Sequence, residues 1–487
     1  MNSLIKKLYS GFFSWKDKKS NKDLAGANDG GHSLKNDSIL KLLLVFVGPA
    51  ILGLLINVFY NVVDRIFVGQ FVGAEGISAV TMVFPINLLQ FAFILLFGSG
   101  AGVLIAKYLG ENKPDKAEEV FGNMIAGLLV VIVIFTGLGL VFYEDLLVLF
   151  GAQGTLLNLS ADYLFVILLG FPLSFFIALE FTIRGEGNPR LPAKLVLISS
   201  LINISLDYVF MKLFGMGIQG AAIATIIAQG TNAVLLLNYY ISGKSLVKLV
   251  WKQIRFKKEI ILSILSVGAA PFIMDTAVSL QNVFANHLLL VSGGTEAVAV
   301  MGIIFGINVF FMMSALGIGD GMQPIISYNY GAKRYDRALQ TLKYVLKLEI
   351  IVAVLGIIIL EIFPTPIIRG FIDNNEGILS LTKNALKIFV FAVPFFMVQI
   401  VITRYFQAIQ KNTIATFLAI LRPIILFVPI SYILNSLYGL NGVWIAFVVS
   451  DSLSALISFL FVKKYSILKL ITDKTINSNK KVYIYEN

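Results

Sequence analysis

Gly98-Ser99-Gly100-Ala101-Gly102 recurs as Gly319-Asp320-Gly321, within Gly317-Ile318-Gly319-Asp320-Gly321, and the chain around each copy recurs with it. Gly48-Pro49 at a helix start is matched by Ala270-Pro271. Lys113-Pro114-Asp115-Lys116-Ala117, just after Gly110, is matched by Arg334-Tyr335-Asp336-Arg337-Ala338, just after Gly331. Gly217-Ile218-Gln219-Gly220-Ala221 is matched by Gly439-Leu440-Asn441-Gly442-Val443. These landmarks keep one order at one offset of roughly 222 residues, so the chain is an internal duplication. Each copy is long and apolar, which predicts a duplicated membrane bundle rather than a solenoid.

Composition agrees. Hydrophobic residues make up 57% of the chain and charged residues 14%, against about half and a quarter in soluble domains. Apolar stretches of about 20 residues, long enough to cross hydrocarbon, recur along the chain. They lie near 39–66, 77–106, 119–143, 157–182, 192–212, 217–242, 259–291, 296–327, 341–364, 380–405, 412–435 and 439–463. The expected fold is therefore an all-α integral membrane protein with twelve transmembrane helices in two pseudo-symmetric six-helix lobes. The expected segments are 1–38, an N-terminal segment and linker; 39–242, the first lobe; 243–258, a basic connecting loop; 259–463, the second lobe; and 464–487, a tail.

The net charge of +11 is placed by the membrane rather than by nucleic acid. Lys6, Lys7, Lys16, Lys18, Lys19, Lys22 and Lys35 precede the first span. Lys244, Lys248, Lys252, Arg255, Lys257 and Lys258 fill the central loop. Lys107, Lys113 and Lys116 match Lys333, Arg334 and Arg337 in equivalent loops, and Lys463, Lys464 and Lys469 follow the last span. The alternate loops hold mainly Lys212, Arg369 and Lys383, together with Glu144, Asp145, Glu296 and Asp373. Positive loops face the cytoplasm, so both termini are expected there. No cysteine and only His32 and His287 leave no material for a disulfide or a histidine-rich metal centre. No signal peptide is read at the N-terminus. Residues 4–15 read as an interfacial segment, 20–37 as a flexible linker, and the chain beyond about 470 as a loose tail.

Ionisable groups inside hydrocarbon cost about 2.5–3.5 kcal/mol each on insertion scales, so those that persist, with the polar groups beside them, are functional candidates. Asn57, Tyr60, Asn61 and Asp64 fall at i, i+3, i+4 and i+7 of the first span and share one helix face. Asn203 and Asp207 share a face of the fifth span, and Thr225 lies in the sixth. The 1.5 Å rise per residue sets Asp64 ~9 Å, Asp207 ~8 Å, Asn203 ~13 Å and Thr225 ~12 Å from the outer helix ends. Two carboxylates with amide and hydroxyl neighbours at one depth can share a proton or hold a small cation. In the second copy, Asn282 stands for Tyr60, Asn286 for Asp64, Ile425 for Asn203 and Pro429 for Asp207. A scaffold element is needed in both copies, whereas a coupling site is needed once. Asp275 shares a face with Asn282 and Asn286, which makes all three candidates for lining a polar cavity. Asp320 in its Gly-rich stretch reads as a packing position, Glu180 with Arg184 as an i,i+4 ion pair, and Arg404 and Arg422 as snorkelling cations near cytoplasmic helix ends.

These residues resemble the MATE family, the multidrug and toxic compound extrusion transporters, over about residues 39–463. The match rests on Tyr60-Asn61-Val62-Val63-Asp64-Arg65-Ile66-Phe67-Val68-Gly69 and Asn203-Ile204-Ser205-Leu206-Asp207. It extends to Gly217-Ile218-Gln219-Gly220-Ala221-Ala222-Ile223-Ala224-Thr225, and to Gln323-Pro324 with Asn329-Tyr330-Gly331-Ala332. The resemblance implies a V-shaped pair of six-helix lobes, alternating access by rocking, and efflux of organic cations and drugs driven by H+ or Na+ entry. It implies a cation site at Asp64, Asn203, Asp207 and Thr225, with Tyr60 beside it, and Na+ as a possible occupant. Branches with an acid further along the seventh helix than Asp275 differ here, so no cation site is expected in the second lobe.

A bacterial plasma-membrane location follows from that resemblance, as do a monomeric transporter and small-molecule partners within the bilayer, with no nucleic acid and no cofactor beyond the coupling ion. The alternative is a lipid-linked oligosaccharide flippase of the wider superfamily, which needs cationic cavity groups for a diphosphate. The charges inside these spans are mostly acidic. An enzyme would need a clustered acid, base or metal site, and a directly ATP-driven pump a Walker loop; neither is in the sequence.

Overall fold

The computed structural model describes residues 34–150, 152–371 and 376–484, with side chains to Tyr465. The proposed interfacial segment at 4–15 lies outside the described residues. Twelve long helices form the molecule, and there is no strand among the described residues. The first repeat holds α1 (Ile39–Phe71), α2 (Ala74–Gly110), α3 (Pro114–Leu149), α4 (Gly154–Gly185), α5 (Arg190–Leu213) and α6 (Gly217–Ile241). The second holds α7 (Lys258–Gly294), α8 (Glu296–Gly331), α9 (Tyr335–Ile362), α10 (Glu376–Ala408), α11 (Asn412–Tyr438) and α12 (Leu440–Ile484). Eleven of these are long and apolar enough to cross a membrane. The other, α9, is 28 residues long and carries Lys343, Lys347, Glu349 and Glu361. Glu349 is fully buried against its neighbours.

Local chemistry sets the helix limits. Ser38 caps α1 by accepting the Lys41 N–H, and Pro114 opens α3. Gly294, at φ 67°, breaks the chain between α7 and α8, a conformation that an L side chain rarely adopts. Beyond Gly442 no glycine or proline interrupts α12, so it runs on to Ile484, where a loose tail was expected.

The repeats meet along glycines at the face that carries Lys113, Lys116, Lys333 and Arg337. A methyl group on Gly110 would run into the Tyr328 carbonyl, and one on Gly331 into the Lys107 carbonyl. Gly110 and Gly331 occupy matched positions in the repeats, as do Lys107 and Tyr328. Nearby, Gly100 lies against Ile264, Gly268 against Leu96, and Gly321 against Val47. Small residues let helix backbones touch where lipid offers no competing hydrophobic drive. Lys107 Nζ adds a 2.7 Å bond to Gln410 across the seam.

The segments around the helices are tied to this face. Part of the expected flexible linker is held in place: Arg334 and Arg337 donate to the Lys35 and Asp37 carbonyls at 2.5 and 2.7 Å, and Leu34 is buried. Backbone carbonyls facing a guanidinium need no particular side chain, so composition gave no warning of it. The connecting loop is strapped to the first repeat. Ser245 and the Leu246 N–H donate to Glu186 at 2.7 and 3.0 Å, and Asn123 accepts the Lys257 N–H at 2.7 Å. Glu119 pairs with the Lys257 ammonium.

Candidate cation site

The polar face of α1 meets that of α5 inside the first repeat. Asp64 is only 8% exposed, and α1 runs on past it through Ile66, Phe67 and Val68 to Phe71. Asp207 is 0% exposed and Asn203 2%. The two carboxyl groups adjoin. Asn203 Nδ2 points at Thr225 Oγ1 on α6, a long contact at 3.5 Å. Tyr60 lies within electrostatic reach of both acids. The α-helical ladder of α5 ends at Asp207, and a π-turn follows over Tyr208–Leu213. Such turns are frequent at functional sites because they re-aim side chains.

The cluster has a hydrogen-bond deficit. Asp64 Oδ1, Asn203 Oδ1 and both Asp207 carboxylate oxygens are buried and accept no hydrogen bond. Buried polar atoms are nearly always paired, and each orphan costs about 1–3 kcal/mol. Four acceptors with no donor among them are a set that lacks a proton or a cation. Two carboxylates, an amide oxygen and the Thr225 hydroxyl are hard oxygen ligands, which fits Na+ or a shared proton. No group of three or more His, Cys, Asp or Glu gathers among the described residues.

The other candidates divide. Asn61 turns back to donate to the Asn57 carbonyl at 2.7 Å. Asn282 is half-buried and Asn286 exposed. Asp275 does not join the cation cluster; it lies within electrostatic reach of Arg404 and Asp320.

Sequence reasoning missed Tyr163 of α4, which is buried within reach of Asp64, Asp207 and Tyr60. Tyr163 stands at the start of an apolar run with only Ser160 one turn before it, too short a pattern to mark it. It also missed Asn87 and Asn308, matched positions on α2 and α8 whose Oδ1 atoms are both buried without a partner. Comparing the repeats residue by residue would have found that pair.

Three readings of buried charge are corrected. Arg404 does not snorkel: it is buried and faces Asp320 at 3.4 Å. Arg422 lies ten residues into α11, roughly 15 Å from its end by helix rise. It is buried 3.7 Å from Asp451 of α12, over the Phe396 ring. Asp320 is more than a packing position, because it bridges Arg404 and Arg184. The acids that neutralise these arginines are remote in sequence, so span-by-span reading leaves each arginine without a partner. The Glu180–Arg184 pair is present at 3.2 Å.

A duplicated twelve-helix bundle with buried oxygen ligands in one repeat defines a membrane transporter. The MatE family profile matches residues 49–209 and 273–433, once in each repeat, and the chain belongs to that family of transporters, which are not enzymes. It is similar to the multidrug export protein MepA of Staphylococcus aureus, 28% identical over 432 residues, covering 87% of this chain and 93% of that one. The MepA of Staphylococcus saprophyticus is 27% identical over 438 residues, covering 88% and 94%. Among solved structures, a MATE transporter in the bent conformation superposes with TM-score 0.84 at 23% identity, covering 90% of this chain and 98% of that one. An outward-facing multidrug resistance MATE transporter of the MOP superfamily superposes with TM-score 0.83 at 23% identity and the same coverage. At that identity the structures speak for the fold.

Proposed function

We propose that this protein is a secondary multidrug exporter that exchanges organic, mostly cationic compounds for H+ or Na+ by alternating access. The lobes at 39–242 and 259–463 are the moving bodies, and both termini are cytoplasmic. The observation that carries the reading is the buried, donor-free oxygen cluster of Asp64, Asn203 and Asp207 beside Thr225. A coupling ion satisfies those oxygens, and its arrival removes the negative charge that a cationic drug needs. Drug and ion then lower each other's affinity, as linkage requires. Tyr60 and Tyr163 lie within electrostatic reach of both acids. The similarity to proteins named multidrug export proteins supports the substrate class.

The oligosaccharide flippase reading needs unpaired cations for a diphosphate. Arg184, Arg404 and Arg422 each face an acid, so that reading gains no support.

The test is dye efflux from proteoliposomes under an imposed pH gradient, and separately under an imposed Na+ gradient. Export driven by either gradient and lost in Asp64→Asn is the expected result. Export that needs neither gradient overturns the reading.

A further inference from the structure

Away from the cation cluster, a second buried polar network joins the two repeats. It begins in the first repeat, where Asn232 donates to Glu180 at 2.9 Å and Glu180 pairs with Arg184 at 3.2 Å. Arg184 then faces Asp320 of the second repeat at 4.0 Å, and Asp320 faces Arg404 at 3.4 Å. Asp275 adds its field to Arg404 and Asp320 from α7. Arg404 donates to Gln407 at 3.4 Å, and Gln407 donates back across the seam to Ser99 at 2.8 Å and to the Val267 carbonyl at 2.9 Å. A small cavity bounded by Ser99, Phe181, Arg184, Asp320, Gln323 and Pro324 marks where the repeats meet. Phe181 stacks against Arg184 at 5.2 Å.

Two arginines from opposite repeats thus converge on one aspartate. Glu180, Asp320 and Arg404 are buried and Arg184 is partly buried, and the Gly110, Gly331 and Gly100 contacts close the same seam. If the repeats separate here, water reaches both arginines and the aspartate. Asp320 is therefore worth more in the closed arrangement than in the open one, and only such a difference can bias a two-state equilibrium. The Glu180–Arg184 contact lies within one helix, so it is kept in both arrangements and by itself favours neither.

We propose that Asp320, held between Arg184 and Arg404, is the latch that keeps the basic-loop end of the transporter shut. It acts by positioning the lobes and touches neither drug nor coupling ion. The inference rests on the alternating-access reading, but its test needs no transport.

The chain has no cysteine, so spin labels can be placed at Asp115→Cys and Asp336→Cys, exposed matched positions in the first turns of α3 and α9, just after the basic loops beside the seam. Distances between them are measured by pulsed electron resonance on purified, monodisperse protein. Asp320→Asn leaves Arg404 without its acid and Arg184 with Glu180 alone when closed, and should raise the population with separated loops by roughly tenfold or more. Arg184→Gln leaves Asp320 paired with Arg404 and should produce a smaller rise. Asp320→Glu keeps the charge and should stay near the parent distribution. If Asp320→Asn does not yield monodisperse protein, Arg184→Gln against the parent decides. The latch is overturned if neither variant separates the loops, or if Asp320→Glu separates them as far as Asp320→Asn does. Loss of drug export with unchanged distances would count against the latch and leave the transport reading standing.

Discussion

The carboxyl of Asp207 adjoins that of Asp64 in the interior of the first repeat, and both Asp207 oxygens lack a hydrogen-bond donor. A pair in this state is incomplete without a proton or a small cation, and the first predictions follow from that.

Asp64→Asn keeps the shape of the side chain and removes its charge. The variant should reach the membrane at the parent level and confer no more resistance to ethidium-like cations than an empty vector. Parent-level resistance in cells carrying Asp64→Asn would remove Asp64 from the coupling site.

Proton and drug should compete. Binding of a fluorescent organic cation to purified protein, titrated between about pH 5 and about pH 8, should weaken as pH falls, because protonation cancels the charge that holds the cation. Asp207→Asn should flatten the curve. An affinity independent of pH in the parent protein would leave Na+ as the coupling ion.

The second repeat has Asn286 where the first has Asp64. Asn286 is exposed, and the partners of a cation site are missing around it: Ile425 and Pro429 stand for Asn203 and Asp207. Asn286→Asp should therefore not rescue Asp64→Asn in an efflux assay. Full rescue would make the two repeats functionally interchangeable.

Glu186, in the turn after α4, is buried, and burial pushes its carboxyl from 4.5 up to about 7, outweighing the donors from Ser245, Leu246 and Tyr239. The folded form then binds more protons than the unfolded one between those values. The contribution of Glu186 is full below about pH 4.5 and is lost as pH rises through about 7. Hydrogen exchange in 244–248, corrected for the intrinsic pH effect, should quicken from about pH 6 to about pH 8. In Glu186→Gln that change should disappear.

Gly110→Ala places a methyl against the Tyr328 carbonyl, so the seam must part. Overpacking of this kind costs about 1–3 kcal/mol. A lowered thermal midpoint and slower export are expected. Gly137→Ala, where nothing lies within 4 Å, is the control and should match the parent. Equal effects at both positions would mean that the seam is not the cause.

Helical periodicity makes much of the cation cluster legible in the sequence. Asn57 to Asp64 and Asn203 with Asp207 announce themselves because polar residues on one face stand out in an apolar span. The twelve spans and the duplication are readable for the same reason. What stays hidden depends on contacts between helices. Tyr163 has only Ser160 one turn before it on its face, too little to stand out, and Arg404 and Arg422 find their acids only across the bundle. The Asp320 bridge is masked by the glycines around it, which do pack closely but do so to bring the charges together.

The contact of Gly110 with Tyr328 and of Gly331 with Lys107 has one further consequence. Residue i of one half touches residue j of the other, and the counterpart of i touches the counterpart of j. That is the reciprocity of an isologous homodimer interface, here preserved inside a single polypeptide. A half-length chain would carry both sides of this contact on its own surface. Within one polypeptide each half can differ from its twin: one holds Asp64 and Asp207, the other Asn286 and Pro429 in their place.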